Sequence, residues 1–272
     1  MACERINDQY KLKLKAMNTL SEQLTSLYES KWDRLMQQLD KRQIKTQCPF
    51  VLSVQRNGSE DWYVGADIKV MFFGQEVHLW EKNEDLGDTM RAYEKFFEEK
   101  YVDEEVAGYF SQDEISSGNR FMRWGCNGIM SGIRDILEAC PGRRAAFLWN
   151  NISKLSTYDG RPVGTEVHEL EREYFHVIPQ EIEILRPDIL VFLTGPGYNK
   201  YYSYILENFT LDGEPQMLSG IPQDNLMKLP IQGVRSAYKT LHPGAHLSET
   251  EHWKNYQAII DDIRLNISGC LQ

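Results

Sequence analysis

Four short segments carry residue types that can do chemistry together: Gly74-Gln75-Glu76, Asn150-Asn151, Thr194-Gly195-Pro196-Gly197 and His242-Pro243-Gly244. A carboxylate orients water or stabilises a sugar cation. A side-chain amide accepts and donates at once, so it can read the edge of a base. A neutral histidine donates a hydrogen bond to developing negative charge, and losing such a donor slows a reaction on the order of a hundred- to a thousand-fold. Together these types suit general acid/base and electrostatic catalysis without a nucleophile.

Other chemistries fit the sequence poorly. The G-x-S-x-G elbow is missing and no cysteine sits near His242, which argues against serine or cysteine hydrolases. GPGYNKYY starts like G-x-G-x-x-G, but Lys200 takes the place of the last glycine, so a dinucleotide site is not expected. Glu76 and His78 stand two apart and His242 and His246 four apart. Four-apart histidines ligate well on a helix, but Pro243 disfavours helical geometry at His242. No metal is expected.

These residues need elements to bring them together. Each segment follows an apolar run: IKVMFF before Gly74, RAAFLW before Asn150, ILVFL before Thr194 and SAYKTL before His242. The first and third are continuous apolar runs of strand length, as in strands covered on both faces. Helical patterns lie between the runs, at 86–109, 117–139, 167–185 and 198–209, and 249–265 follows the last. Alternating strand and helix argues for an α/β sandwich with a largely parallel sheet. In such a sheet the carboxyl ends of the strands share one edge, where ligands bind. The carboxylate, the amide and the histidine should therefore meet at one rim.

Before these elements, 6–42 reads as helix, with Leu20, Leu24, Leu27, Trp32, Leu35 and Leu39 near helical spacing. The simplest parse is a helical extension at 1–48 followed by one α/β domain at 49–272. The chain has 272 residues, 42% hydrophobic and 26% charged, an ordinary globular balance. Its five scattered cysteines form no C-x-x-C pair, so neither a disulfide framework nor a zinc finger is expected. With no signal-peptide pattern and no membrane-length apolar run, the expectation is a cytoplasmic protein. Asp plus Glu number 40 against 30 Lys plus Arg, a net −10, so any grip on nucleic acid must be local.

On these residues the chain resembles the uracil-DNA glycosylase superfamily. Gly74-Gln75-Glu76 is similar to the Gly-Gln-Asp that opens the family's first motif. His242-Pro243-Gly244, with Leu247 and Ser248 beyond, is similar to its His-Pro-Ser-Pro-Leu-Ser. VFLTGPGYNKYY resembles the third strand and following helix, and FLWNNISK the Leu-Leu-Leu-Asn strand end. The match keeps order and spacing over 68–253.

The resemblance implies a three-layer α/β/α sandwich with a mainly parallel four-stranded sheet. It implies cleavage of the N-glycosidic bond of uracil or a related damaged base in DNA, with the base flipped out and no cofactor. By position Glu76 would take the place of the aspartate that stabilises the sugar cation or directs water. His242 would hydrogen-bond the base O2. The Gln75 main chain would face the base carbonyl, and Asn151, or its neighbour Asn150, would read the base edge. Gly74 and Gly195 would line the site, and Leu247 would wedge into the duplex. Val77-His78 stands where the family has Pro-Tyr, and Pro243-Gly244-Ala245 lacks the serines that grip phosphate. The cysteines of the iron–sulfur branch have no counterparts, so no cluster is expected. These departures keep open a catalytically altered domain that binds nucleotide, nucleic acid or protein without excision, and a hydrolase of free nucleosides.

Overall fold

The computed structural model describes residues 19–77, 85–101, 143–157, 163–243, 245 and 248–268. The expected helix at 117–139, the stretch before residue 19, and the residues His78, Gly244, His246 and Leu247 lie outside it.

The fold is α/β, built on a sheet of β1 (Ile68–Gly74), β2 (Ala145–Asn151), β3 (Ile189–Leu193), β4 (Gln216–Met217), β5 (Leu226–Lys228) and β6 (Ser236–Thr240). The strand order is β2-β1-β3-β6-β5-β4. β2, β1, β3 and β6 run parallel, whereas β5 and β4 pair antiparallel beyond β6. The expected four-stranded sheet is thus corrected to a mixed sheet of six strands. The two additions hold two and three residues within the turn-rich LDGEPQMLSGIPQDN, too short to show a period.

The four parallel strands stand at the four apolar runs read from the sequence. All five residues of β3 are buried, and six of the seven in β1. Val70 of β1 aligns with Phe147 of β2 on one side and Ile189 of β3 on the other. Rings of Phe73, Phe192 and Phe209 pack together under one face, 4.8–6.0 Å between centroids. From β1 the chain crosses outward to β2 and later returns past β1 to β3. The strand order therefore reverses between β1 and β3, the position where open α/β sheets bind ligands.

Helices α1 (Leu20–Lys41), α2 (Asp61–Val64), α3 (Leu86–Tyr101), α4 (Thr165–Tyr174), α5 (Ile178–Leu185), α6 (Lys200–Asn208) and α7 (Glu249–Ser268) complete the described structure. α1 opens with a capping box between Thr19 and Glu22. Its stripe of Leu24, Leu27, Tyr28, Leu35 and Leu39 belongs to the same apolar core as the sheet. The single helix expected at 167–185 is two, α4 and α5. Pro179 lies in the first turn of α5, where a missing N–H is harmless, and Phe175-His176-Val177 form the break. No helix among the described residues is long and apolar enough to cross a membrane.

A buried polar network ties α1 and α5 to the end of β2. Lys154 Nζ lies 2.8 Å from Glu181 Oε1, both side chains nearly inaccessible. Tyr28 donates to Glu181 Oε1 at 2.7 Å, Asn150 Nδ2 donates to Glu181 Oε2 at 2.9 Å, and Lys154 donates to Asn150 Oδ1. Breaking a buried pair on one side leaves an uncompensated charge and costs about 3–5 kcal/mol, whereas removing both partners costs far less than the sum. Lys154→Met and Glu181→Leu are each expected to lose stability on that scale in urea melts. The double variant should lose clearly less than the two single losses added together.

Candidate functional site

Each strand of the parallel set ends in a polar segment held by its neighbours. Gly74 closes β1 opposite Asn151, the last residue of β2. A Cβ at Gly74 would lie 2.5 Å from Asn151 Oδ1 and 2.5 Å from Trp149 Cζ2. Glycine is required here because β2 side chains lean across the exit of β1. The two exits then stay paired: Ile152 N–H donates to Gly74 O and Ser153 N–H to Gln75 O, both at 3.0 Å.

The next two residues point to different partners. Gln75 Nε2 donates to Thr194 O at 3.1 Å, joining the exits of β1 and β3. Glu76 turns toward α6 and the segment before α4. Its Oε2 accepts from Val163 N at 2.9 Å and its Oε1 from the Tyr201 hydroxyl at 3.2 Å. Burial, and then the negative charge of Glu76, push the Tyr201 hydroxyl above its ordinary pKa, so it stays a donor to the carboxylate. Glu76 is thus held in one orientation by two protein donors.

At the exit of β3, Thr194 O also accepts from Asn199 Nδ2 at 2.9 Å, and Asn199 Oδ1 caps α6 by accepting from Tyr202 N at 3.1 Å. Gly195 has φ +99°, in the left-handed region that favours glycine. Its carbonyl accepts from Lys239 Nζ at 2.6 Å. Lys239 is buried in β6, and that burial lowers its pKa to about 8 against the opposing pull of Asp224. The Thr194 hydroxyl is buried with no hydrogen-bond partner among the described residues.

His242 follows β6 and is half-buried. Burial, and then the proximity of His252, lower its pKa below the ordinary histidine value, which favours the neutral ring near pH 7. The turn it opens is closed by Ala245 N–H donating to His242 O at 2.8 Å. Buried His252 of α7 places Nε2 3.3 Å from Ala245 O, so this nitrogen carries the donated proton.

The rim brings Gly74 against Asn151, and Gln75 against Thr194 and Gly195. Glu76 and His242 stand at the same edge with β3 between them, so at a strand spacing of about 4.8 Å their backbones lie roughly 10 Å apart. Asn150 is directed into the Lys154–Glu181 network and away from any ligand, which leaves Asn151 as the amide at this exit. Of the Gln75 main chain, expected to face the base carbonyl, the carbonyl accepts from Ser153 N–H. Leu247 lies outside the described residues. Among the described residues no group of three His, Cys, Asp or Glu side chains could hold a metal ion. A groove of about 580 Å³ lined by Arg186, Asp188 and Arg235 lies at the opposite edge, where β3 and β6 begin.

Tyr201, Lys239 and His252 were not foreseen. A lysine inside the strand run SAYKTL was a usable signal, because a central strand rarely buries a cation without a purpose. Tyr201 and His252 sit on amphipathic helices, where a tyrosine or histidine looks like packing. No family model matches the sequence, and no curated protein matches it.

The exit of β2 depends on Glu171 of α4, whose buried carboxyl accepts from Lys154 N, Leu155 N and Ser153 Oγ at 2.8–2.9 Å. Burial pushes it up to about 7 from 4.5, although these donors oppose the rise. A carboxyl raised by folding binds its proton more tightly in the folded state. Its contribution is complete below about pH 4.5 and is lost as pH climbs toward 7, a span worth about 3 kcal/mol. Wild type is expected to lose stability relative to Glu171→Gln between about pH 5 and about pH 7, with no further divergence above. Denaturant melts across that range measure it. Separately, Gly74→Ala should cost about 1–3 kcal/mol through overpacking against Asn151 and Trp149, read as a fall in melting temperature.

Proposed function

We propose that the chain is a uracil-DNA glycosylase-like hydrolase that cleaves the N-glycosidic bond of uracil or a related damaged base in DNA. The observation that carries this reading is a carboxylate held by two donors at the exit of β1 and a histidine kept neutral by burial at the exit of β6. The fold supports it as well. β2-β1-β3-β6 is a four-stranded parallel set whose order reverses at β1. Right-handed crossovers then put α3 on one face and α4, α5 and α6 on the other, giving three layers. In this reading β4 and β5 are additions to the family's sheet, and the chain works on DNA in the cytoplasm without a metal or cofactor.

The chemistry follows from the two groups. A base drawn out of the stack lies between the exits of β1 and β6. As the bond from the sugar to the base nitrogen breaks, the bonding electrons leave with the base. His242 donates a hydrogen bond to the base oxygen that gains this charge, acting as a fixed dipole. Glu76 faces the sugar, which becomes cationic, and water completes the hydrolysis at the anomeric carbon. Tyr201 and Val163 N keep the carboxylate from turning away.

A second reading is a domain of this fold that binds without excision. It is favoured by the net charge of −10, and by the two protein donors already on Glu76. Base release from uracil-containing single strands and duplexes separates the two. Wild type should release base, and His242→Ala and Glu76→Gln should each be slower on the order of a hundred- to a thousand-fold. Folded wild type that binds these strands without releasing base would establish the second reading instead.

A further inference from the structure

We infer that Lys239 is a positioning residue: from inside β6 its ammonium holds the turn Thr194-Gly195-Pro196-Gly197, which lies between Glu76 and His242, in the shape that lets both reach one ligand. What the turn serves rests on the reading above; how it is held rests on the structure alone.

The turn cannot brace itself. Gly195 and Gly197 have φ of +99° and +41° and carry no side chains, and Pro196 between them is exposed. Its ties come from β6 and from the segment before β5. Gly195 N–H donates to Thr240 O at 3.2 Å, and Gly197 N–H donates to Asp224 O at 2.9 Å. The Gly195 carbonyl is held by a side chain, Lys239, whose Nζ donates to it at 2.6 Å. Lys239 reaches it lengthwise. Its neighbours across the sheet are Phe192 on β3 and Met227 on β5, both buried and apolar. The stem must therefore run along the sheet from the level of Phe192 to the exit, with the ammonium at its far end.

Such a clamp costs stability. The ammonium is buried, and among the described residues its hydrogen-bond acceptor is the Gly195 carbonyl alone. Burial draws its pKa down to about 8, against the pull of Asp224, so it is still charged at pH 7. Between Phe192 and Met227 an apolar side chain would serve folding better than a charge. What the charge adds is a short, charge-assisted bond, which fixes the carbonyl more firmly than a neutral donor would. The cost falls on the fold and the benefit on the shape of the turn, which points to the site.

Lys239→Met keeps the length of the side chain and removes the donor. In hydrogen exchange followed by NMR at pH 7, the Gly195 and Gly197 amides of this variant should exchange about tenfold to a hundredfold faster than in wild type. The amides of Ile152 and Ser153, at the exits of β1 and β2, should be unchanged. In the base-release assay kcat should fall about tenfold to a hundredfold with KM little altered. Should Lys239→Met not fold, Lys239→Gln, one bond shorter and out of reach of Gly195 O, should give the same pattern. Turn amides that exchange as in wild type overturn the inference. So does faster exchange at all four amides alike, which is a general loss of stability. Faster exchange confined to the turn with kcat unchanged overturns it too, because Lys239 then shapes a loop and nothing more. In a wild type that binds uracil-containing strands without release, affinity for them is read in place of kcat. A wild type that neither releases base nor binds these strands overturns the proposed function and the positioning role with it, whereas the exchange pattern still reports whether Lys239 holds the turn.

Discussion

β1 is hydrogen-bonded on both sides, to β2 along its whole length and to β3 over its second half. That double pairing is the constraint from which the rest follows. A strand paired on both edges and covered on both faces is mostly apolar until it emerges, so polar side chains gather at its exit. Parallel neighbours must emerge at the same edge. The abrupt change from Phe72-Phe73 to Gly74-Gln75-Glu76 is the sequence trace of that geometry.

At the edge, side chains take over the pairing that the strands give up. Gln75, Asn199 and Lys239 each donate to a carbonyl just past β3, and Glu171 accepts from two N–H groups just past β2. Backbone groups left unpaired in a buried place would be expensive, so these side chains are needed for folding alone. The same bonds also fix the orientation of the rim. Preorganisation and stability are here served by the same hydrogen bonds.

What was legible in the sequence divides along physical lines. β1 and β3 showed because burial on both faces writes a continuous apolar run, β2 and β6 showed as shorter apolar-rich runs, and the exits showed because those runs stop. β4 and β5 did not show: two or three residues carry no period, and their pairing is set by β6. Pro179 was visible, and it marked the break between α4 and α5 that periodicity alone had bridged. The pair Asn150-Asn151 marked the right exit without saying which amide faces a ligand. That depended on Lys154 and Glu181, and on the alternation that sends consecutive strand residues to opposite faces. Tyr201 and Val163, the partners of Glu76, come from segments distant in sequence, so no spacing rule could couple them.

The separation of Glu76 and His242 bears on what kind of chemistry the rim can perform. Groups that pass a proton directly must lie within hydrogen-bond reach. The two residues stand at exits with a whole strand between them, and Glu76 is held at its own exit by Val163 N–H and the Tyr201 hydroxyl. In the proposed reading each acts on a different part of one ligand, with the exit of β3 lying between them. That exit is Thr194-Gly195, where the carbonyls are tied down and a Cβ at Gly195 would crowd the amides that tie them. A ligand long enough to span the exits, with positive charge developing at one end and negative charge at the other, matches this layout. A nucleoside losing its base has that form, with the cation on the sugar and the anion on the base.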